Sequence, residues 1–297
     1  MIQQNRSTVK KFGEVMDNRV NYYPLRPLTP EEKKLPCARF YEDYPLYKPN
    51  PLQQMLLDAG PMDPAQAIRA ENWLDLLQVY GYRDVMYGYC VMPDGSGFYI
   101  EYSVSPPTWR GEWRRWFGKW VNHHSPGMAP GQGSLRYKIW NPLDHWDHSF
   151  VNGVDDKDGI WSMETLDMGA SGDPSSGVGA ISHNIDLRSY GLTVEKQREL
   201  EAHGCRASAC WEEFEGPGHH LVLRFSRPCP LGGTENINCE WIGYYPKDGR
   251  IVRDPDTPVS EEYLKNVLTH NTVERVHLIQ VLPDLYEAYH EKPLDED

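Results

Sequence analysis

The sequence predicts an α+β protein in which a many-stranded sheet is followed by one long C-terminal helix. Three observations carry that expectation. From Val85 to Tyr244, short apolar runs of two-residue period are separated by Gly, Pro and Asp clusters, as in successive strands and turns. From Ser260 to Pro283 the apolar residues return every three or four positions, the period of a helix. The chain of 297 residues is 39 % hydrophobic and 25 % charged, the composition of a globular protein long enough to bury a large core.

Residues 1 to 60 are rich in polar residues, and Tyr22-Tyr23-Pro24, Pro27, Pro30 and Pro36 interrupt any long element, so this stretch reads as an arm that wraps something. Asp63-Pro64 supplies a cap and a proline at the first helical position. Ile68, Trp73, Leu74, Leu76, Leu77 and Tyr80 follow at helical spacing, predicting a helix over 63–80. Met86 to Val91 and Phe98 to Tyr102 flank Pro93-Asp94-Gly95 and read as a hairpin. Trp113, Trp116, Phe117 and Trp120 mark a short amphipathic helix ended by the Gly and Pro cluster 126–133. Further strands are predicted at 135–140, 160–166, 180–187, 210–214, 219–225 and 237–244, with a polar helix over 194–202. Ser260 caps the last helix, Glu261 and Glu262 make its acidic first turn, and Pro283 closes it after about 22 residues. The organisation is an arm and helix over 1–84 and a sheet-and-helix unit over 85–297.

Charge narrows the function. Lys and Arg number 30 against 43 Asp and Glu, a formal charge of −13, and the densest basic stretch, Trp109 to Lys119, is broken by four aromatic residues. That distribution excludes a sequence-independent grip on nucleic acid or an anionic membrane. No run of 18 apolar residues occurs and Met1 to Phe12 has no apolar core, so no membrane span and no signal peptide are expected, and the location is cytoplasmic. The six cysteines, without a CxxC pair, are expected as thiols in that reducing setting. Ten Trp and eighteen Tyr suit a pocket for a flat, partly polar ligand. The serine-hydrolase elbow, the dinucleotide and P-loop glycine motifs and the HExxH zinc motif are all missing.

What the sequence offers is His270 and Glu274 on the C-terminal helix. They project one turn apart on one face, a spacing at which an imidazole and a carboxylate reach one cation. Tyr263, Val267, His270, Glu274 and Val281 fall on one line, so the pair lies beside the apolar stripe, where an unpaired carboxylate is costly. A surface ion pair is the alternative that spacing alone allows. Further ligands should come from the sheet: His145, after the turn at Asn141-Pro142 and close to His148, and Glu164, which shares a strand face with Ser162 and Leu166. His123 and His124 are another source, although at a helix end they suit the terminal dipole.

Three stretches, LRYKIWNPLDH from Leu135, GGTENINCEWIG from Gly232 and HNTVERVHLIQVLPDLYEAY from His270, resemble the phloretin hydrolase and diacetylphloroglucinol hydrolase family. The resemblance is strongest over 113–289. It implies a zinc-dependent hydrolase of carbon–carbon bonds, acting on a small acylated polyphenol. It also implies a curved sheet gripping the long helix in the Bet v 1-like manner, and a possible homodimer. By the same resemblance the zinc ligands are His145, Glu164, His270 and Glu274. Tyr137 and His148 stand where substrate hydroxyls are held, and His220, or its neighbour His219, where a proton is transferred. In a strand those two neighbours point to opposite faces, so only one enters the pocket. With four side chains bound, water needs a fifth position or displaces a carboxylate. Two other readings remain: a related metal enzyme acting on an aromatic polyketide as cyclase, decarboxylase or esterase, and a metal-free carrier of aromatic ligands.

Overall fold

A computed structural model describes residues 21–125, 131–294 and 296; the stretch Met1 to Phe12, the start of the arm and most of the Gly and Pro cluster lie outside them. The arm forms β1 (Tyr22–Tyr23), α1 (Ala38–Glu42), β2 (Leu46–Tyr47) and α2 (Pro51–Asp58). α2 starts where it does because the Asn50 side chain accepts the N–H groups of Leu52 and Gln53 ahead of a proline-led first turn. The arm does wrap: Leu28, Phe40 and Tyr41 share an apolar cluster with Leu282, Leu285 and Tyr289 of the C-terminal helix.

The single helix expected over 63–80 does not form. Asp63 and Pro64 begin a turn, but the chain makes two 3-10 segments, Pro64–Gln66 and Ala70–Leu76, with Ala67 and Arg69 extended between them. The Ile68 carbonyl accepts the Trp241 indole N–H at 2.7 Å rather than a helical N–H, and Ile68, Trp73, Leu76 and Leu77 flatten onto the sheet. Burial against the sheet overrides the local signal.

The remaining elements are β3 (Gly88–Val91), β4 (Gly97–Ser105), α3 (Gly111–Asn122), α4 (Leu135–Trp140), β5 (His145–Phe150), β6 (Ile160–Glu164), β7 (Val178–Ile185), α5 (Val194–Ala202), β8 (Arg206–Phe214), β9 (His219–Pro228), β10 (Thr234–Ile242), β11 (Tyr244–Lys247), β12 (Arg250–Arg253) and α6 (Glu261–Tyr289). β3 to β10 make one antiparallel eight-stranded sheet in the order β3-β4-β10-β9-β8-β7-β6-β5. The fold class is thus the expected one. The hairpin, the Trp-rich helix and the helix over 194–202 stand where the sequence puts them.

Two elements differ. LRYKIW alternates like a strand, yet it is the helix α4, because both kinds of residue in it are buried. Leu135, Tyr137 and Ile139 join the apolar cluster under the arm, and Arg136 donates to the carbonyls of Trp120, His123, Leu294 and Glu296. Lys138 Nζ meets the buried Glu32 carboxylate of the arm at 2.6 Å. Glu32→Ala strands that ammonium without its partner and is expected to lower stability by about 3–5 kcal/mol in urea denaturation; a loss below about 1 kcal/mol would mean a merely solvated pair. α6 also runs through Pro283 to Tyr289 instead of stopping there. Val281, Leu282, Leu285 and Tyr289 are all buried, and that packing carries the helix past its missing N–H.

The two sheet faces are unlike. Phe98, Leu221, Leu223, Phe225, Cys239 and Trp241 point to one side, under the 3-10 segments and Leu200 of α5. The alternate residues, among them Ser182, Cys210, Glu212, His220, Arg224 and Glu240, point to the other, where α6 and α3 roof a cavity of about 350 Å³. α6 is anchored beside that cavity by Leu264, Val267 and Leu268 against Tyr99 and Ile242.

Candidate metal centre

Four donors converge in the cavity. His270 and Glu274 face inward one turn apart on α6, while His145 and Glu164 are cross-strand partners at the start of β5 and the end of β6. A β-bulge between His145 and Asp147 shifts the register, so that His148, three residues on, pairs with Ser162 and returns to the face of His145. Without it the two imidazoles would lie on opposite sides of the sheet.

His145 Nε2 lies 3.3 Å from Glu164 Oε2, 3.4 Å from Glu274 Oε2 and 3.3 Å from His270 Nε2. His270 Nε2 lies 3.2 Å from Glu164 Oε2 and 3.6 Å from Glu274 Oε2. A tetrahedron of N and O ligands around a zinc-sized ion has edges of about 3.3–3.5 Å. The tautomers also fit. His145 Nδ1 donates to the Tyr137 carbonyl at 3.2 Å and His270 Nδ1 to Asp144 Oδ2 at 2.8 Å, which leaves both Nε2 lone pairs facing the two carboxylates. Four donor atoms so placed could hold a divalent cation, whose charge the two carboxylates would balance. His145, His270 and Glu274 have donor atoms within 4.8 Å of one another and can hold a metal ion.

Without a cation the four groups pair with one another, the imidazoles as donors to the carboxylates. Burial works against charge on every member, and the hydrogen bonds among them outweigh it. His145 and His270 are raised above the usual imidazole range, Glu164 is held well below the carboxylate range, and Glu274 is pulled down to about 2 by His145 and His270. Charge is therefore built into this end of the cavity.

Around the four donors, Tyr137 stacks on His145 at 3.8 Å between ring centroids and on His148 at 4.4 Å, and its hydroxyl is hydrogen-bonded to Ser162 and Glu164. Burial first, then the neighbouring His145, push His148 down to about 3, so its ring is neutral, and its buried Nδ1 has no hydrogen-bond partner among the described residues. His220 lines the cavity with Nε2 3.2 Å from the Tyr263 hydroxyl and Nδ1 3.4 Å from Glu240. His219 points the other way, stacked on Tyr245 and paired with Asp254 at 2.7 Å, so of the two neighbours only His220 faces the cavity. His123 packs on Phe150 and His124 pairs with Asp147; neither joins the four donors.

Two other groups, Glu212 in the cavity and Asp144 behind His270, carry little sequence signal. Glu212 is pushed up to about 8 by burial and by the Glu240 and Glu164 carboxylates. Asp144, fully buried, orients His270 and accepts the N–H groups of Met168 and Gly169. Its place beside His145 in sequence was the only available hint.

A family profile described as the DAPG hydrolase PhiG domain matches residues 68–287. The chain belongs to that family. It is also 31 % identical to phloretin hydrolase of Eubacterium ramulus over an alignment of 297 positions, covering 86 % of this chain and 91 % of that protein. In this DAPG hydrolase family member, Tyr137, His145, His148, Glu164, His220, His270 and Glu274 all fall inside the matched segment. Among the described residues, no helix is long and apolar enough to cross a membrane, and Cys90, Cys205, Cys210, Cys229 and Cys239 are free thiols.

Proposed function

We propose that this chain is a zinc-dependent hydrolase that cleaves the carbon–carbon bond between an acyl group and a polyhydroxylated aromatic ring, as in an acylphloroglucinol. The observation that carries it is the convergence of His145, Glu164, His270 and Glu274 on one point at a cavity wall. Likeness to a phloretin hydrolase supplies the substrate class. A carrier of aromatic ligands would have no use for two buried carboxylates set against two imidazoles.

The ring chemistry explains why hydrolysis is feasible. A ring hydroxyl ortho or para to the acyl group allows a keto tautomer, in which the ring–acyl bond resembles the central bond of a 1,3-diketone. His145, Glu164, His270 and Glu274 would hold the zinc, which when bound would supply a Lewis acid for the acyl oxygen and a water of pKa near 7. Tyr137 and His148 hold the ring hydroxyls, the neutral His148 through its unpartnered nitrogen. His220, fixed between Glu240 and Tyr263, delivers the proton that the acyl-bearing ring carbon gains on forming this tautomer, and cleavage then leaves the ring as its phenolate. The acyl carbon takes the hydroxyl, so one water is consumed and a phenol and a carboxylic acid leave.

Elemental analysis of protein purified without added metal tests this. One zinc per chain is expected in the wild type, and little in folded His270→Ala and Glu274→Ala. Wild-type protein that neither contains zinc nor takes it up, yet hydrolyses the substrate, overturns it.

A further inference from the structure

The sheet side of the metal-cluster cavity holds a cation with nothing to pair it. Arg224 follows His220 by four residues in β9, so both side chains leave the same face of the strand, and both line the cavity. Its cross-strand neighbours, Ser208 and Asn238, are neutral. Nη1 donates to the Cys210 sulfur at 3.2 Å. Cys210 stands in the row of Val222 and Glu240, so this bond draws the guanidinium back along the strand toward His220.

Sulfur is a weak acceptor, and burial pushes the Cys210 thiol up, so this partner leaves the positive charge uncancelled. The carboxylates that share the field of Arg224 do not close on it: Glu212 and Glu240 are set against His220 Nδ1, at 3.7 and 3.4 Å. The remaining N–H groups of Arg224 have no acceptor among the described residues. Arg114, the other arginine of the cavity wall, lies 4.9 Å over the Trp140 ring, a seat that Arg224 lacks. A charged planar fork left open to a cavity is costly unless an anionic oxygen meets it. Cleavage of the ring–acyl bond makes such an oxygen. The acyl carbon keeps the incoming hydroxyl, and the electron pair of the broken bond passes into the ring and onto the conjugated ring oxygen. The proton given up by the attacking water later neutralises that oxygen, so the products are a phenol and a carboxylic acid. Tyr137 and the neutral His148 can hydrogen-bond a ring oxygen but bring no positive charge to it.

We propose that Arg224 is a further catalytic residue, which grips one ring oxygen of the substrate and stabilises the negative charge that this oxygen gains as the bond breaks. The proposal rests on the hydrolase reading above. A cation fixed beforehand in a cavity, where water competes less, stabilises such a charge far better than the same group does in solution.

Arg224→Met removes the charge and keeps an unbranched side chain; should it not fold, Arg224→Gln takes its place. With zinc-loaded protein, the variant is expected to lower kcat on an acylphloroglucinol by about 10²–10³-fold with metal content unchanged. Arg224→Lys keeps a point charge without the fork and should regain about tenfold of that loss. A merely structural role would cost the same on every substrate. An oxyanion role costs less on a ring-chlorinated acylphloroglucinol, whose phenolate needs less stabilisation, so the ratio of wild-type to variant kcat should shrink there by about tenfold. In parallel, 4-nitrophenol titrated by its absorbance in excess protein should ionise at lower pH when bound to the wild type than when free, and lose most of that shift in the variant. A kcat within about threefold of wild type in the folded variants, or an equal loss on both substrates, overturns the assignment. If the wild type hydrolyses neither substrate yet shifts the nitrophenol in an Arg224-dependent way, the anion site stands and the hydrolase reading fails. With neither activity nor shift, both fail.

Discussion

His220→Gln lowers kcat on an acylphloroglucinol by about 10²–10⁴-fold and leaves the bound metal in place. The side chain is almost fully buried, at 3 % exposure, and lies outside the four-donor cluster, so the substitution removes no ligand. Glutamine keeps the size and can still hydrogen-bond Glu240 and Tyr263, but it cannot carry a proton near neutral pH. The lost rate then belongs to proton delivery at the ring carbon. Glu240 acts through His220, as a positioning residue whose carboxylate sits 3.4 Å from Nδ1. Glu240→Gln should cost less in kcat than His220→Gln, because the imidazole stays in place and loses only the partner that orients it. Rates and metal content measured on the same preparations decide the matter. A His220→Gln enzyme that loses only in KM would make His220 a binding group instead.

The parts of the site legible from sequence are those whose geometry is local. His270 and Glu274 stand four apart on a helix that carries its own cap and apolar stripe, so their shared face follows from the helical period alone. Glu164 is likewise readable, since Ser162, Glu164 and Leu166 do line one cavity. Residues whose role depends on distant chain stayed hidden. Lys138 reads as the polar side of a strand until Glu32, 106 positions away, is seen to bury with it. Asp144 acquires its meaning from His270, 126 positions on. The sheet misleads in another way: Ser182, Glu212, Arg224 and Glu240 alternate with apolar residues as if facing solvent, whereas they face an internal cavity. A period of two says that the faces differ and cannot say which one is outside. The bulge in β5 is the sharpest case. Regular strand spacing separates His145 from His148, and one extra residue reunites them beside Tyr137.

Asp144→Asn weakens metal binding by about 10–100-fold while the fold and the activity per bound metal survive. Asp144 uses both oxygens. Oδ2 accepts His270 Nδ1–H at 2.8 Å and the Met168 N–H at 3.0 Å, and Oδ1 accepts the Gly169 N–H at 2.8 Å and the Thr165 hydroxyl at 3.0 Å. Every partner donates, which is why an ionised carboxylate suits the position: burial opposes its charge, and the bond with His270 outweighs that and lowers its pKa. An asparagine offers one acceptor and one donor. If its oxygen stays with Gly169 and Thr165, its amide faces His270 Nδ1 and favours the tautomer with the proton on Nε2, where the ion needs a lone pair. If it turns over, the 165–169 loop loses its anchor. Either arrangement penalises the metal-bound state more than the chain's packing, because the substitution is isosteric. Competition against a chromogenic chelator reads the affinity, and excess zinc should restore the rate. Undiminished affinity in the variant would mean that Nε2 of His270 is kept free by something other than Asp144; a folded variant that stays inactive when saturated with zinc would give Asp144 a part in the chemistry itself.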